Sequence, residues 1–569
     1  MRPLFQRFPF LHIPRRWVSQ SSRSAPVRSW KETVSKNKKK TLFGASLASG
    51  VLLYDSDGAV HNFVDHVYFT SERAGVVAKA TARCFYYYKK TLDDPYPDEE
   101  SRKEALSKCH SQCALITLDA LRTNGGIFIK FGQHIGAMTY LLPMEWTETM
   151  IPLQDQCPES SIESINEMFI SDTGKSIAET FSEFNDVPIG VASLAQVYIA
   201  KLRSTGQNVA VKCQHPELKE FIPVDVILTK TVFSLMDRVF PEYPLMWLGD
   251  ELQSSIYTEL DFNKEAENAI NTQSYFKKFT KMTALKVPDV IEAHQRILIM
   301  EYVEGKRLDN IEFIDSNRIS RVEVSSCLSH IFSNMIFTPN VGLHCDPHGG
   351  NLAIRPVTPT SNNPHNFEII LFDHGLYRFP ETQMRRDYAR FWLALLDQDQ
   401  DKMRFYAKRF ANINDEQFPL FAAAITGRSI DVALHYDIST RRSKEEISSM
   451  TSRFMDGEFL PDLMSILSRI PRIVLLILKT NDLTRYLDES LHNPLGPERT
   501  FLIMTQYCSK TVYGEDCEQN DNINGRWTLR WTLTYIMNWI RYERRRNQLF
   551  LYDTILWYHQ FISRMWNVL

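Results

Sequence analysis

The residues best suited to chemistry sit in one octapeptide, His344-Cys345-Asp346-Pro347-His348-Gly349-Gly350-Asn351, followed 22 residues after its Asn by Asp373-His374-Gly375. An Asp and an Asn five positions apart, then a second Asp ahead of a Gly, is the layout of a kinase-type phosphoryl-transfer site. In that layout the first Asp faces the acceptor hydroxyl, and the Asn and second Asp hold Mg²⁺ against nucleotide phosphates. Asp346 is thus the candidate catalytic carboxylate, and Asn351 and Asp373 are the candidate metal ligands. Gly375 is expected to let the backbone turn sharply enough to aim Asp373 inward. A rival reading makes His344, Asp346 and His348 metal ligands at alternate positions, as in a hydrolase. The apolar run ending at Phe372, just before Asp373, and a lysine strand upstream favour phosphoryl transfer.

That lysine strand is Val209-Ala210-Val211-Lys212, which alternates like a strand and ends in a residue able to hold phosphates. A lysine used so needs a carboxylate to orient it, and Glu265 is the candidate. Alone, the tetrapeptide reads more simply as an edge strand with a solvated lysine; ahead of Asp346, Asn351 and Asp373 it does not. A GxGxxG loop is missing. Its place is held by Pro188-Ile189-Gly190-Val191-Ala192-Ser193-Leu194-Ala195-Gln196-Val197, where Ala192 and Ser193 are small enough for phosphates to approach the backbone. A second strand, Ile297 to Val303, carries two further candidate nucleotide contacts at its end, Glu301 and Val303.

These residues need elements to hold them. From Val60 to Phe184 apolar residues recur at helical spacing, broken at Asp93-Asp94-Pro95-Tyr96-Pro97-Asp98. Short strand-like runs follow, with Thr205-Gly206-Gln207 as a turn. Helical spacing returns from Pro223 to Phe279, over 320–337, and from Pro380 to about Leu491. Between Asn351 and Asp373 two apolar runs flank a polar, Pro-rich tip, the pattern of a long hairpin. The expected fold is α+β: a two-lobed, protein-kinase-like core with an N-terminal helical extension and a mostly helical C-terminal lobe. The expected segments are a basic leader (1–40), a candidate membrane segment (41–54), the extension (55–184), a small lobe (185–305), a large lobe (306–500) and a tail (501–569).

The chain has 569 residues, 44% of them apolar and 23% charged, so it is folded and large enough for several domains. A net charge of −3 gives no signature of nucleic-acid binding, and no nucleic-acid partner is expected. The nine cysteines include no CxxC pair and read as free thiols. Residues 1–40 are rich in Arg, Lys and Ser with Glu32 as their one acid, the composition of a mitochondrial presequence. Thr41 to Tyr54 is uncharged, but as a helix would span only about 21 Å of a roughly 30 Å hydrocarbon core. It reads either as a short span, with a small-residue face from Gly44 to Gly50, or as a packed interfacial segment. As a span it would place the body in the intermembrane space, because the basic flank stays inside. The tail carries Trp527, Trp531, Trp539, Trp557 and Trp566 around Arg541 and Arg544-Arg545-Arg546. Two readings stay open for it, a membrane-interface helix and a packed helix with solvated arginines.

Lys130-Phe131-Gly132-Gln133, the loop ending in Ala192-Ser193, the Lys212 strand, Glu259-Leu260-Asp261, the octapeptide and Asp373-His374-Gly375 occur together and in this order. The set resembles the UbiB (ADCK or aarF) family of atypical kinase-like proteins over roughly residues 100–490. Lys479-Thr480-Asn481-Asp482 also looks like a stretch of that family. The resemblance implies ATP and Mg²⁺ as cofactors. It implies a capping extension in which Lys130 pairs with Glu259 and Asp261 and, with Gln133, lies over the nucleotide. Lys212 would contact phosphates and pair with Glu265. It further implies ATP hydrolysis or phosphoryl transfer to a small or lipid-like acceptor. The partners would be mitochondrial inner-membrane lipids and coenzyme Q or its precursors. Gly190-Val191 departs from the family's alanine run and is expected to loosen the loop; Cys345 and Gly350 also depart, away from charged positions. With every ionisable residue in place, an enzyme is the expectation. A nucleotide-switched lipid-binding scaffold and a protein kinase are the alternatives.

Overall fold

The computed structural model describes residues 59–137, 142–153, 159–241, 246–347, 349–426, 466, 469–493 and 495–568. The expected leader, the 41–54 segment and His348 lie outside them. The chain divides into two compact units, 1–76 and 77–569; the described part of the first is the opening of helix α1 (Ala59–Asp93), and the candidate site belongs wholly to the second. Among the described residues no helix is long and apolar enough to cross a membrane.

The extension is helical. Helix α2 (Glu99–Asn124) is capped by Asp98, whose side chain accepts the Ser101 N–H. It stops at Gly125-Gly126, both in the left-handed region (φ 64° and 55°) where a side chain would be strained. The chain then enters α3 (Ile127–Ala137) and α4 (Met144–Met150). Leu121, Phe128, Ile129, Met150 and Leu153 bury one face of this cap against its own core.

The small lobe is a sheet of β1 (Phe181–Phe184), β2 (Gly190–Val191), β3 (Ala195–Leu202), β4 (Asn208–Gln214), β6 (Val290–Ala293) and β7 (Ile297–Glu301), ordered β1-β3-β4-β7-β6 with β2 on β3. Phe181–Phe184 had helical spacing but pairs with β3 as a strand, because Phe181 and Phe184 pack into the aromatic core, Phe184 with its ring centroid 4.9 Å from Tyr198. Strand β4 is interior, hydrogen-bonded on both sides, so the edge-strand reading of Lys212 fails. Gly206 takes φ 71° in the β3–β4 turn. Gly190 sits in ordinary strand geometry opposite Val197 and nothing crowds its missing side chain, so nothing in the fold links it to a looser loop.

Three helices follow, α5 (Leu218–Val239), α6 (Met246–Glu259) and α7 (Phe262–Phe276). In the large lobe, β10 (Leu352–Pro356) and β11 (Phe367–Leu371) form the long hairpin, flanked by β8 (Lys306–Arg307) and β5 (Leu285–Lys286), with Leu352 opposite Leu371, which fixes Asn351 and Asp373 at its open end; β9 (Leu343–His344) pairs with β12 (Tyr377–Arg378) beside it. Around it pack α8 (Arg321–Phe337), α9 (Thr382–Leu396), α10 (Gln400–Ala411), α11 (Phe418–Thr426), α12 (Arg472–Ser490) and α13 (Gly496–Asn524). The 40-residue α14 (Leu529–Val568) closes the chain. The α+β, two-lobed, kinase-like architecture is the one expected. Cys84, Cys109 and Cys113 cluster in the extension, and none of the eight described cysteines forms a disulfide.

Candidate active site

Strand β4 delivers Lys212 to the mouth of the small lobe, where its Nζ lies 2.6 Å from Glu265 Oε1 of α7 and 3.1 Å from Asp373 Oδ2 after β11. Its ammonium also sits 5.0 Å from the centre of the Phe262 ring. Burial opposes its charge, but Asp373 and Glu265 outweigh burial and hold the lysine above its ordinary range. Burial lifts Glu265 to about 7 against the pull of Lys212. Asp373 is held well below the usual carboxylate range: burial works against it, but Lys212 and the Gly375 N–H, which donates to Oδ1 at 2.9 Å, prevail. Its side chain stays 37% exposed, open to a ligand.

Gly375 works differently from expectation. Its φ lies outside the left-handed region, so no special turn needs it. A β-carbon there would stand 3.3 Å from Asp373 Oδ1, so the glycine makes room for the carboxylate.

Asp346 is fixed from both lobes of its loop. Its backbone N–H donates to His344 Nδ1 at 3.1 Å, and its carbonyl accepts from Asn351 Nδ2 at 3.0 Å. Its carboxylate accepts from Lys479 Nζ of α12 at 2.8 Å. Thr480, the next residue, donates to the His344 carbonyl. His344 is buried, one ring nitrogen on the Asp346 N–H and the other on the Asp373 carbonyl at 2.9 Å. Both nitrogens are occupied, so the hydrolase reading of His344 and Asp346 as metal ligands does not hold. Among the described residues no cluster of three or more His, Cys, Asp or Glu is arranged for a metal. Asn351 and Asp373 instead offer hard oxygen donors from two residues, a set that suits Mg²⁺, which keeps waters and substrate phosphates as its other ligands.

Helix α3 lies over this centre. Lys130 Nζ meets Glu259 Oε2 at 2.7 Å, both side chains largely buried. Burial opposes the charge on Lys130, but Glu259, with Asp346 and Asp373 beyond it, holds the ammonium above its ordinary range. Burial lifts Glu259 in spite of Lys130. Ser193 donates to Gln133 Oε1 at 3.2 Å, and Gln133 Nε2 donates to the Leu153 carbonyl at 2.9 Å, so the phosphate-loop candidate is tied to the cap. The Ala192 carbonyl meets His215 Nε2 at 2.9 Å.

Two site residues fall elsewhere. Asp261 caps α7, its side chain accepting the Asn263 N–H at 3.2 Å, and leaves Lys130 to Glu259. The Glu301 carboxylate is taken by Lys286 at 2.6 Å and by the Asp289 N–H at 3.1 Å. Val303 packs with Ala353, Ile370 and Phe372, beside Asp373. Sequence reasoning assigned no role to Lys479 or His134. In the sequence Lys479 is marked only by its place in a family-like stretch, and no spacing rule joins it to a loop 133 residues away. His134 lies one position past Gln133. Burial, then Lys130 and Lys479, depress it to about 3, and its buried Nε2 has no hydrogen-bond partner.

Gly132 lets the cap close. A β-carbon there would fall 2.1 Å from Leu153 Cδ1 and 2.9 Å from Leu121 Cδ1, inside a packed core. Gly132→Val is therefore expected to cost about 1–3 kcal/mol by overpacking, seen as a lower unfolding midpoint and faster proteolysis near Leu153. An unchanged midpoint would show that the cap is loosely packed.

A small lobe presenting Lys212, a helix presenting Glu265 and a large lobe presenting Asp346, Asn351 and Asp373 define a protein-kinase-like centre. Residues 152–407 match the ABC1 atypical kinase-like domain. The chain is 63% identical to ABC1 family protein MCP2 of Saccharomyces cerevisiae over 99% of each. It is 41% identical to the MCP2 homolog of Schizosaccharomyces pombe, over 96% of this chain and 99% of that one. To AarF domain-containing protein kinase 1 of Gallus gallus it is 36% identical, over 82% of this chain and 87% of that one. The chain belongs to the ABC1 (UbiB/ADCK) family of atypical kinase-like proteins.

Proposed function

We propose that this protein is an atypical kinase-like ATPase that uses Mg²⁺-ATP, with hydrolysis or phosphoryl transfer to a small or lipid-like acceptor, in coenzyme Q or membrane-lipid homeostasis. The observation that carries the reading is the buried Lys130–Glu259 pair, with Gln133 on Ser193, which closes helix α3 over the centre. A polypeptide acceptor needs an open cleft; a capped one favours a small acceptor or water.

In this reading Lys212 holds phosphate oxygens while Glu265 keeps its ammonium in place. Asn351 and Asp373 would hold Mg²⁺, which supplies positive charge to the phosphates when bound. Asp346, oriented by Lys479, accepts the proton of the attacking hydroxyl. The basic leader and the 41–54 segment support a place at the mitochondrial inner membrane with the body facing the intermembrane space. Protease protection of the body in organelles with ruptured outer membranes would count against that side.

The decisive test is Asp346→Asn. Organelles carrying the variant are expected to show the quinone or phospholipid profile of the null, while nucleotide binding is retained. A variant that restores the wild-type profile would instead favour a scaffold switched by nucleotide.

A further inference from the structure

The last helix of the chain is inside out. Its face toward α13 and the large lobe mixes polar and aromatic groups around the buried Leu549: Asn538 is buried and donates to the Asp516 carbonyl, Trp531 Nε1 donates to Asp521 at 2.7 Å, and Tyr542 stacks on Tyr513 at 4.7 Å. Arg545 pairs with Asp397 and Asp553 with Arg499 on the same side. The opposite face is apolar and open, in two blocks. Leu533, Ile536 and Ile540 form the first; Phe550, Leu551 and Tyr558 form the second, with Phe550 70% exposed. Trp539 and Trp557 flank the blocks, about half exposed. A surface helix normally buries its apolar stripe and shows its polar one. Here docking on the lobe satisfies the polar groups and leaves the apolar stripe for something else.

Between the two blocks stand Arg541 and Arg544, both exposed, and Arg546, which reaches Glu543 at 3.0 Å. The helix has six arginines and two acids, Glu543 and Asp553, each already paired with an arginine. That composition selects the occupant. A second copy laid antiparallel by two-fold symmetry would set this central arginine band against itself, at a repulsive cost. An apolar stripe edged by Trp and Tyr with arginines at headgroup height is what an anionic bilayer surface takes.

We propose that the exposed face of α14 is a membrane-docking surface that lies flat on a bilayer containing anionic phospholipid and seats the kinase-like body against it. The inference shares with the proposed function only the expectation of a membrane, and it does not depend on nucleotide use.

The test places an environment-sensitive dye on α14 in the full chain, through Ile540→Cys or Leu551→Cys, with the parent protein measuring labelling of the native thiols. Vesicles of phosphatidylcholine with phosphatidylglycerol are expected to shift the dye to the blue, with quenching by brominated acyl chains; pure phosphatidylcholine is expected to do so weakly. Arg541→Gln with Arg544→Gln is expected to weaken partitioning about thirtyfold, taking about 1 kcal/mol per arginine at the surface. A dye left in water while the protein floats with the vesicles overturns the proposal, because another segment then does the binding. So does a shift that appears without vesicles and grows with protein concentration, which would mean self-association. Nucleotide affinity measured on the same samples separates failure here from failure of the kinase-like reading.

Discussion

Asp373→Asn is expected to weaken Mg²⁺-ATP binding by about a hundredfold while leaving metal-free ATP binding nearly unchanged. The carboxylate carries three duties: it accepts from Lys212 at 3.1 Å, accepts from the Gly375 N–H at 2.9 Å, and presents charge to the cleft. An amide keeps one acceptor oxygen. Its NH₂ must then face either the Lys212 ammonium or the Gly375 N–H, donor against donor, and the negative charge that attracts Mg²⁺ is gone. Losing a charge-assisted interaction of about 2–3 kcal/mol corresponds to the stated loss, at 1.4 kcal/mol per tenfold. Without metal, the lost carboxylate also removes repulsion of the phosphates, which offsets the weaker hold on Lys212. Calorimetric titration with Mg²⁺ and with chelator is the check. Wild type should lose affinity on chelation and the variant should not. Equal losses in both conditions would mean that Asp373 serves the fold of the loop and not the metal.

The parts of this site visible in the sequence are those set by local geometry. Asp346, Asn351 and Asp373 follow from one loop and one hairpin, so their spacing is short and their chemistry legible. Lys212 announced itself through strand alternation, and Glu265 through its place in the helical run from Pro223 to Phe279 that follows. Contacts made by tertiary packing were not legible in the same way. Lys479 reaches Asp346 because α12 packs against the catalytic loop, which no periodicity records. Asp261 was read as a partner of Lys130, but at the start of α7 an aspartate satisfies an orphan backbone N–H, and that local use prevails. Phe181–Phe184 shows the converse: helical spacing gave way to burial against Tyr198 in the sheet. The orientation of α14 was also hidden. Its composition left a packed helix and a membrane-interface helix open; the structure packs one side of it, with Trp531 held by Asp521, and leaves Trp539 and Trp557 about half exposed on another.

Lys130→Met is expected to cost about 3–5 kcal/mol at neutral pH, because it leaves Glu259 as a buried carboxylate without its cation. The pair is 2.7 Å apart, with side chains only 15% and 13% exposed, so water cannot replace the lost partner. Methionine fills the lysine's stem, which confines the change to the charge. The pH dependence has a definite sign. Glu259 is already raised by burial above the ordinary glutamate value, and losing Lys130 raises it further. A folded-state pKa above the unfolded one means that the native state binds more protons, so stability falls as pH rises through that interval. The variant is therefore expected to lie nearest wild type in mild acid and to lose ground steadily toward neutral pH, as followed by urea unfolding across that range. Adding Glu259→Gln should restore most of the loss and flatten the pH profile, since removing both charges leaves no buried ion. A double variant as unstable as Lys130→Met, with the same slope, would place the damage in the packing of α3 and not in the ion pair. If the pair instead latches the cap, the rescued double variant should refold normally yet release nucleotide faster than wild type. That separates a latch from a brace: a brace contributes stability alone, whereas a latch also sets how long the nucleotide stays.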